Sequence, residues 1–298
     1  MSQIFYPDFI SPRRVIGRRT FDFSRQVAIM AIINRTPDSF HDRGRTFSLP
    51  KAIEAVERAI DDEADWLDIG AVPFSADAPE VSERGELDRL LPVIAAARER
   101  TDAVISAETY RVEVARQALA AGADVLNNVT GLHDLALADV VAEAGAGLII
   151  THSLAPPHTP MPRPQYKDVT SEVAAFLRER VDLAISRGVP PDRIIIDPGH
   201  DLNKNTFHSL ELTRHLPEIT GIGYPVLAAV SNKDFIGETI NRPQSDRVEG
   251  TIATLSICIM QGARLVRVHD VRQVVPAVRM VEGILGWRLP DAPRHNLT

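Results

Sequence analysis

The 298-residue chain holds a single cysteine, Cys258. That excludes an intramolecular disulfide and any cysteine-rich metal site. Cys258 stands in the apolar run 255–260, where a small thiol packs as a hydrophobe, so it reads as structural. Long apolar runs are also missing. Nothing approaches the ~20 consecutive apolar residues that span a bilayer. The first ten residues carry an aspartate and aromatics, but no basic segment followed by an apolar one, and do not read as a secretory signal. The expectation is a cytoplasmic protein with no membrane partner. An excess of positive charge is absent too. The net charge of −7 disfavours a general nucleic-acid binder, because neutralising phosphates needs clustered Lys and Arg. The remaining composition, 44% apolar and 24% charged, is that of an ordinary globular enzyme.

What the chain does have is a rhythm. Short apolar runs at 28–33, 66–67, 103–106, 124–126, 148–151, 194–196, 226–230 and 265–266 each break off into polar residues. Those residues are, in order, Asn34, Asp68, Glu108, Asn127, His152, Asp197, the triplet Ser231-Asn232-Lys233, and Arg267 with His269. Eight strands with polar C-terminal ends predict a TIM (β/α)₈ barrel with its site on the C-terminal face. A loose repeat at 63–68, 122–127, 145–150 and 262–267 supports this. In each a helix ends, usually at Gly, a small Ala follows, and a short apolar strand begins. Between the strands, Ile53, Val56 and Ile60 share one helical face, as do Val173, Phe176, Leu177 and Ile185.

One domain is expected over 27–289, with 1–26 as an extension capping the barrel's N-terminal end and 290–298 as a tail. The Arg13-Arg14 and Arg18-Arg19 pairs read as solvated surface. The segment 155–166, with five prolines, reads as a stiff loop over the site.

Four segments then carry a resemblance. Asn34-Arg35-Thr36-Pro37-Asp38-Ser39-Phe40, Asp197-Pro198-Gly199, Ser231-Asn232-Lys233 and Arg267-Val268-His269-Asp270 resemble the signatures of dihydropteroate synthase. Each is weak alone; in order, at the ends of the right strands, they are specific. The resemblance implies condensation of a dihydropterin methyl diphosphate with 4-aminobenzoate, with Mg²⁺ assisting departure of the diphosphate, and a homodimer. It implies that Asp197, Asn127, Lys233 and Glu108 bind the pterin. A carboxylate such as Asp197 can accept two adjacent N–H bonds from a pterin edge. It also implies that Arg267, His269 and Asn34 hold the diphosphate, with Asn34 placing Mg²⁺. An oxygen ligand suits that ion. Glu108, Lys233 and Asp197 stand as the catalytic set. Blander roles remain open: a turn aspartate for Asp197, a loop asparagine for Asn127, a surface lysine for Lys233.

The resemblance is uneven. Val72, Pro73, Phe74 and Ser75 stand where the family carries Glu, Ser, Thr and Arg, so the Thr-Arg contact to the arylamine end and diphosphate is gone. Glu108 replaces an Asp, Asn128 replaces another, and Asn232 replaces an Arg. Arg35 replaces a small apolar residue, and His200-Asp201-Leu202-Asn203-Lys204 replaces a Gly- and Phe-rich run before a lysine. The pterin and diphosphate ends are mostly retained, while the acceptor end is rebuilt. This resembles the divergent actinobacterial homologues of the synthase. Three readings follow: a synthase-like transferase whose arylamine-like acceptor need not be 4-aminobenzoate, a pterin-binding or regulatory homologue without turnover, and a pterin methyltransferase. The last fits Ser231-Asn232 but leaves Arg267 and His269 without a diphosphate to hold.

Overall fold

The computed structural model describes residues 4–36, 48–73, 80–155, 159 and 163–296. A hairpin of β1 (Arg13–Ile16) and β2 (Arg19–Asp22) precedes eight further strands. These are β3 (Ala28–Asn34), β4 (Trp66–Gly70), β5 (Val104–Glu108), β6 (Val125–Asn128), β7 (Gly147–Thr151), β8 (Ile194–Asp197), β9 (Leu227–Ala228) and β10 (Leu265–Val268). The helices among them are α1 (Leu49–Asp61), α2 (Glu83–Arg100), α3 (Val112–Ala120), α4 (Ala136–Ala144) and α5 (Val169–Ser186). They continue with α6 (Thr206–Arg214), α7 (Pro217–Thr220), α8 (Asp234–Ile240), α9 (Val248–Met260) and α10 (Val271–Ile284).

The eight strands pair in parallel in the order β8-β7-β6-β5-β4-β3-β10-β9. A parallel bridge from Ile196 on β8 to Val226, just before β9, joins the two ends of that order. The barrel expected from the strand ends is the fold observed. Every apolar run of the sequence lies on a strand, although the run at 226–230 contributes only two residues to the ladder.

The alternation of strand side chains divides the core in two. Ala28, Met30, Trp66, Val104, Val125, Ile149, Ile195, Leu227 and Leu265 form one cluster with Ile16, Phe21 and Phe23 of the hairpin region. The intervening residues, such as Ile29, Leu67, Ile105, Leu126 and Val266, pack with helix residues including Val56, Leu90, Val114 and Leu177. The first cluster fills the barrel interior near the strands' starts. Residues at even steps further along each strand therefore also face inward. Asn34, Asp68, Glu108, Asn127, Asp197 and Arg267 all have this parity.

The repeat also has a backbone reason. Gly122, Gly145 and Gly262 take positive φ where a helix gives way to the next strand, and Glu63 holds the same position at φ 67° without being glycine. One expectation is corrected. Arg14 is not solvated: it is 2% exposed, and its guanidinium donates to Ser11 O at 2.7 Å and Ile194 O at 2.6 Å. The carbonyl at the start of β8 supplies this buried charge with a partner that its local sequence does not announce. Among the described residues no helix is long and apolar enough to cross a membrane.

Candidate active site

The strand ends converge on a connected polar network. Asp68, fully buried on β4, accepts from Arg267 Nε at 2.6 Å and from Asn127 Nδ2 at 3.1 and 3.2 Å. Its ladder partner Ser106 on β5 donates its hydroxyl to the same carboxylate. Arg267 Nη2 donates to Glu108 at 2.5 Å, so one guanidinium bridges two carboxylates. Asn34 and Glu108 flank Gly70 from either side. A Cβ on that glycine would stand 3.0 Å from Asn34 Oδ1 and 3.6 Å from Glu108 Oε1. The missing side chain keeps this oxygen-lined cradle open.

Charge here is held under tension. Burial pushes the Glu108 carboxyl up to about 7, with Arg267 opposing the shift and Asp68 adding to it. Burial opposes the charge on Arg267, but Asp68, Glu108 and Asp197 together raise its guanidinium above an already high value. Asp197 is 4% exposed and accepts the Gly199 N–H at 2.7 Å. Burial raises its carboxyl, against the pull of Lys233 and Arg267. Lys233 donates to the His200 carbonyl, and burial lowers its ammonium while Asp201 and Asp197 favour the charge.

His269 is fixed from two sides. Its backbone N–H donates to Ser231 Oγ at 3.2 Å, and that oxygen lies 3.0 Å from the ring Nδ1. The serine hydroxyl thus holds the ring by its Nδ1 side. Asn232 holds the left-handed region at φ 57°. It is 4% exposed, accepts from Thr251 at 3.2 Å and donates to Asp270 at 3.3 Å. Arg35 folds back on α2, donating to the carbonyls of Asp88 and Arg89.

A second cluster stands beside Asp197. The Lys204 ammonium donates to Gly199 O at 2.9 Å and Leu202 O at 3.1 Å, and lies 2.9 Å from His152 Nδ1. Burial and the charge of Lys233 lower Lys204 to about 7. Burial, and then Lys204, lower His152 to about 2. The unfolded chain protonates this histidine near pH 6.5, whereas the folded one does not. Its contribution to stability is therefore intact above that pH and is lost as pH falls through it, by about 2 kcal/mol between pH 7.5 and 5. His152→Gln keeps an acceptor for Lys204 but does not titrate. Its urea midpoint should fall by correspondingly less over that interval; an equal fall in both proteins would contradict this account of His152.

All seven residues singled out in the sequence, Asn34, Glu108, Asn127, Asp197, Lys233, Arg267 and His269, stand at or just beyond the strands' C-terminal ends. Phe74, Ser75 and the loop residues from Pro37 to Phe40 lie outside the described residues, as does part of the proline-rich segment. Three participants carried no assigned role in the sequence reading: Asp68, Ser231 and Lys204. Asp68 fits the same strand-end rule as its neighbours, and that was the only available clue.

A closed parallel barrel whose strand ends gather carboxylates, an amide, a lysine, an arginine and a histidine is an α/β barrel with a polar site on its C-terminal face. The sequence family described as pterin binding enzyme matches residues 30–269, and the chain belongs to it, within the dihydropteroate synthases and their homologues. It is 42% identical over 275 residues to a Mycobacterium leprae protein named inactive dihydropteroate synthase 2, covering 90% of this chain and 94% of that one. It is 38% identical to the dihydropteroate synthase of a Synechocystis species, covering 94% and 97%. Among solved structures, the Yersinia pestis dihydropteroate synthase in a sulfonamide drug complex superposes with a TM-score of 0.87 at 32% identity, covering 92% of this chain and 99% of that one.

Proposed function

We propose that this protein binds a dihydropterin methyl diphosphate on the C-terminal face of its barrel and transfers the pterinylmethyl group to an arylamine-like acceptor, with 4-aminobenzoate a poor one. The observation that carries the reading is the pairing of two buried acceptors beside a cationic pair. Asp197 and Asn127 suit the N–H edge of a pterin, and Arg267 and His269 suit a diphosphate. Asn127 Oδ1 is buried with no hydrogen-bond partner among the described residues, which leaves an acceptor for a ligand donor.

In this reading Asp197 accepts two N–H bonds from the pterin, and Lys233 packs against the ring. Arg267, His269 Nε2 and Asn34 hold the diphosphate as it leaves with the electron pair of its C–O bond. Glu108 stands by the methylene where positive charge develops. Asn34 Oδ1 and Glu108 Oε1 line the cradle around Gly70, and oxygen ligands fit Mg²⁺, which would be held mainly by the diphosphate and water with Asn34 as its protein contact. Bound there, Mg²⁺ would neutralise charge on the departing diphosphate. Homodimerisation remains part of the proposal by family resemblance.

The altered residues favour a second reading, pterin binding without turnover, and the name of the Mycobacterium leprae relative points the same way. Incubation with dihydropterin diphosphate and Mg²⁺, with and without 4-aminobenzoate, separates the two when diphosphate and pterin products are measured. Transfer to an added arylamine supports the first reading; bound but unconverted ligand with every arylamine offered supports the second.

Arg267→Lys should weaken the pterin diphosphate roughly tenfold more than the pterin alcohol, since Lys lacks the planar two-donor fork. Titrations of both ligands check this. Equal weakening would remove Arg267 from the diphosphate site.

A further inference from the structure

Asp68 touches both ends of the proposed ligand site and has no part in the reaction described above. Three donors from three different strands converge on its carboxylate: the Ser106 hydroxyl, the Asn127 amide and Arg267 Nε. It is fully buried, so these protein donors, not bulk solvent, stabilise its charge. An ionised carboxylate only accepts. Asn127 must therefore turn its NH₂ toward Asp68 and its oxygen the other way. The orphaned Asn127 Oδ1 lies on that opposite side.

We infer that Asp68 is a positioning residue that fixes the Asn127 amide as a hydrogen-bond acceptor toward the ligand and ties it, through Arg267, to the diphosphate end. An amide is nearly symmetric in shape, and its orientation is set by the network around it. Without a pure acceptor on one side, Asn127 can present NH₂ to the ligand as readily as oxygen. A ligand N–H then meets a donor. The same carboxylate holds Arg267 Nε while Glu108 takes Nη2, which fixes the plane of the guanidinium. The ligand assignment rests on the pterin reading; the orientation of the amide does not.

Asp68→Asn is close to isosteric and gives up the pure acceptor. Its effect on binding is read with the dihydropterin alcohol, which lacks the diphosphate and so isolates the Asn127 end. Asp68→Asn and Asn127→Ala should each weaken that ligand about tenfold. The double variant should also lose about tenfold, because the first residue acts through the second. A loss near a hundredfold would mean independent effects and would overturn the inference.

A second measurement needs no ligand. The side-chain amide protons of Asn127, identified by their loss in Asn127→Ala, should be protected from solvent exchange in the unliganded wild-type protein. In Asp68→Asn they should shift and lose protection. Unprotected signals in the wild type, or unchanged signals in Asp68→Asn, would overturn the inference even if one variant failed to fold. Protected signals in a wild-type protein that binds no pterin would instead retain the positioning role and reject the proposed function.

Discussion

Turnover with 4-aminobenzoate should lie at least about a hundredfold below that of an ordinary dihydropteroate synthase, and sulfonamides should bind poorly, while the pterin diphosphate still binds. The expectation follows from two changes. Phe74 and Ser75 stand where the family resemblance puts Thr and Arg, and in the proposed site this would remove polar contacts to the acceptor end. Glu108 stands where the family resemblance puts an Asp, and in the proposed site its extra methylene would move the carboxylate by roughly 1 Å, a scale that matters when reacting groups must align. Losing one preorganised contact to developing charge can cost ~10²–10³ in rate. The structure adds that Glu108 is bound to Arg267, which also holds Asp68, so this carboxylate cannot shift without disturbing the guanidinium. Asn232 is also committed elsewhere, to Thr251 and Asp270. Steady-state synthesis of dihydropteroate, run beside a sulfonamide titration, checks the prediction. Ordinary efficiency with tight sulfonamide inhibition would show that these changes are neutral.

Asp197→Ala should weaken pterin binding by about 5- to 150-fold. Leaving a buried polar partner unsatisfied costs ~1–3 kcal/mol. The fold should survive, because the hydrogen bond this carboxylate makes among the described residues is a short-range one, from the Gly199 N–H. Lys233 and Lys204 both feel its charge, so part of the loss will come from cations left with less compensation. Calorimetric titration of the variant, with circular dichroism to verify folding, gives the answer. Unchanged affinity would show Asp197 to be a turn residue only.

The strands were legible in the sequence because covered parallel strands are nearly continuous apolar runs. Their polar ends were legible because a catalytic face interrupts such runs. Pairing within the site was not. Asp68 meets Arg267 across 199 residues and Asn127 across 59, and only barrel closure brings them together. Arg14 shows the same limit from the other side: an arginine in a polar segment is buried with one of its partners, the Ile194 carbonyl, far along the chain. Lys204 read as one residue of an altered run, yet it gathers two carbonyls of its own loop and the ring of His152. The recurring turn was legible through its glycines, except where Glu63 adopts the same left-handed backbone.

The central claim is that the pterin and diphosphate ends of the site remain competent. Titration of the wild-type protein with dihydropterin methyl diphosphate and with the corresponding alcohol, each with and without Mg²⁺, tests it most directly. The account predicts saturable one-to-one binding of both, tighter for the diphosphate, with Mg²⁺ strengthening the diphosphate alone. Absence of binding by either ligand, or equal affinities unaffected by Mg²⁺, would contradict it.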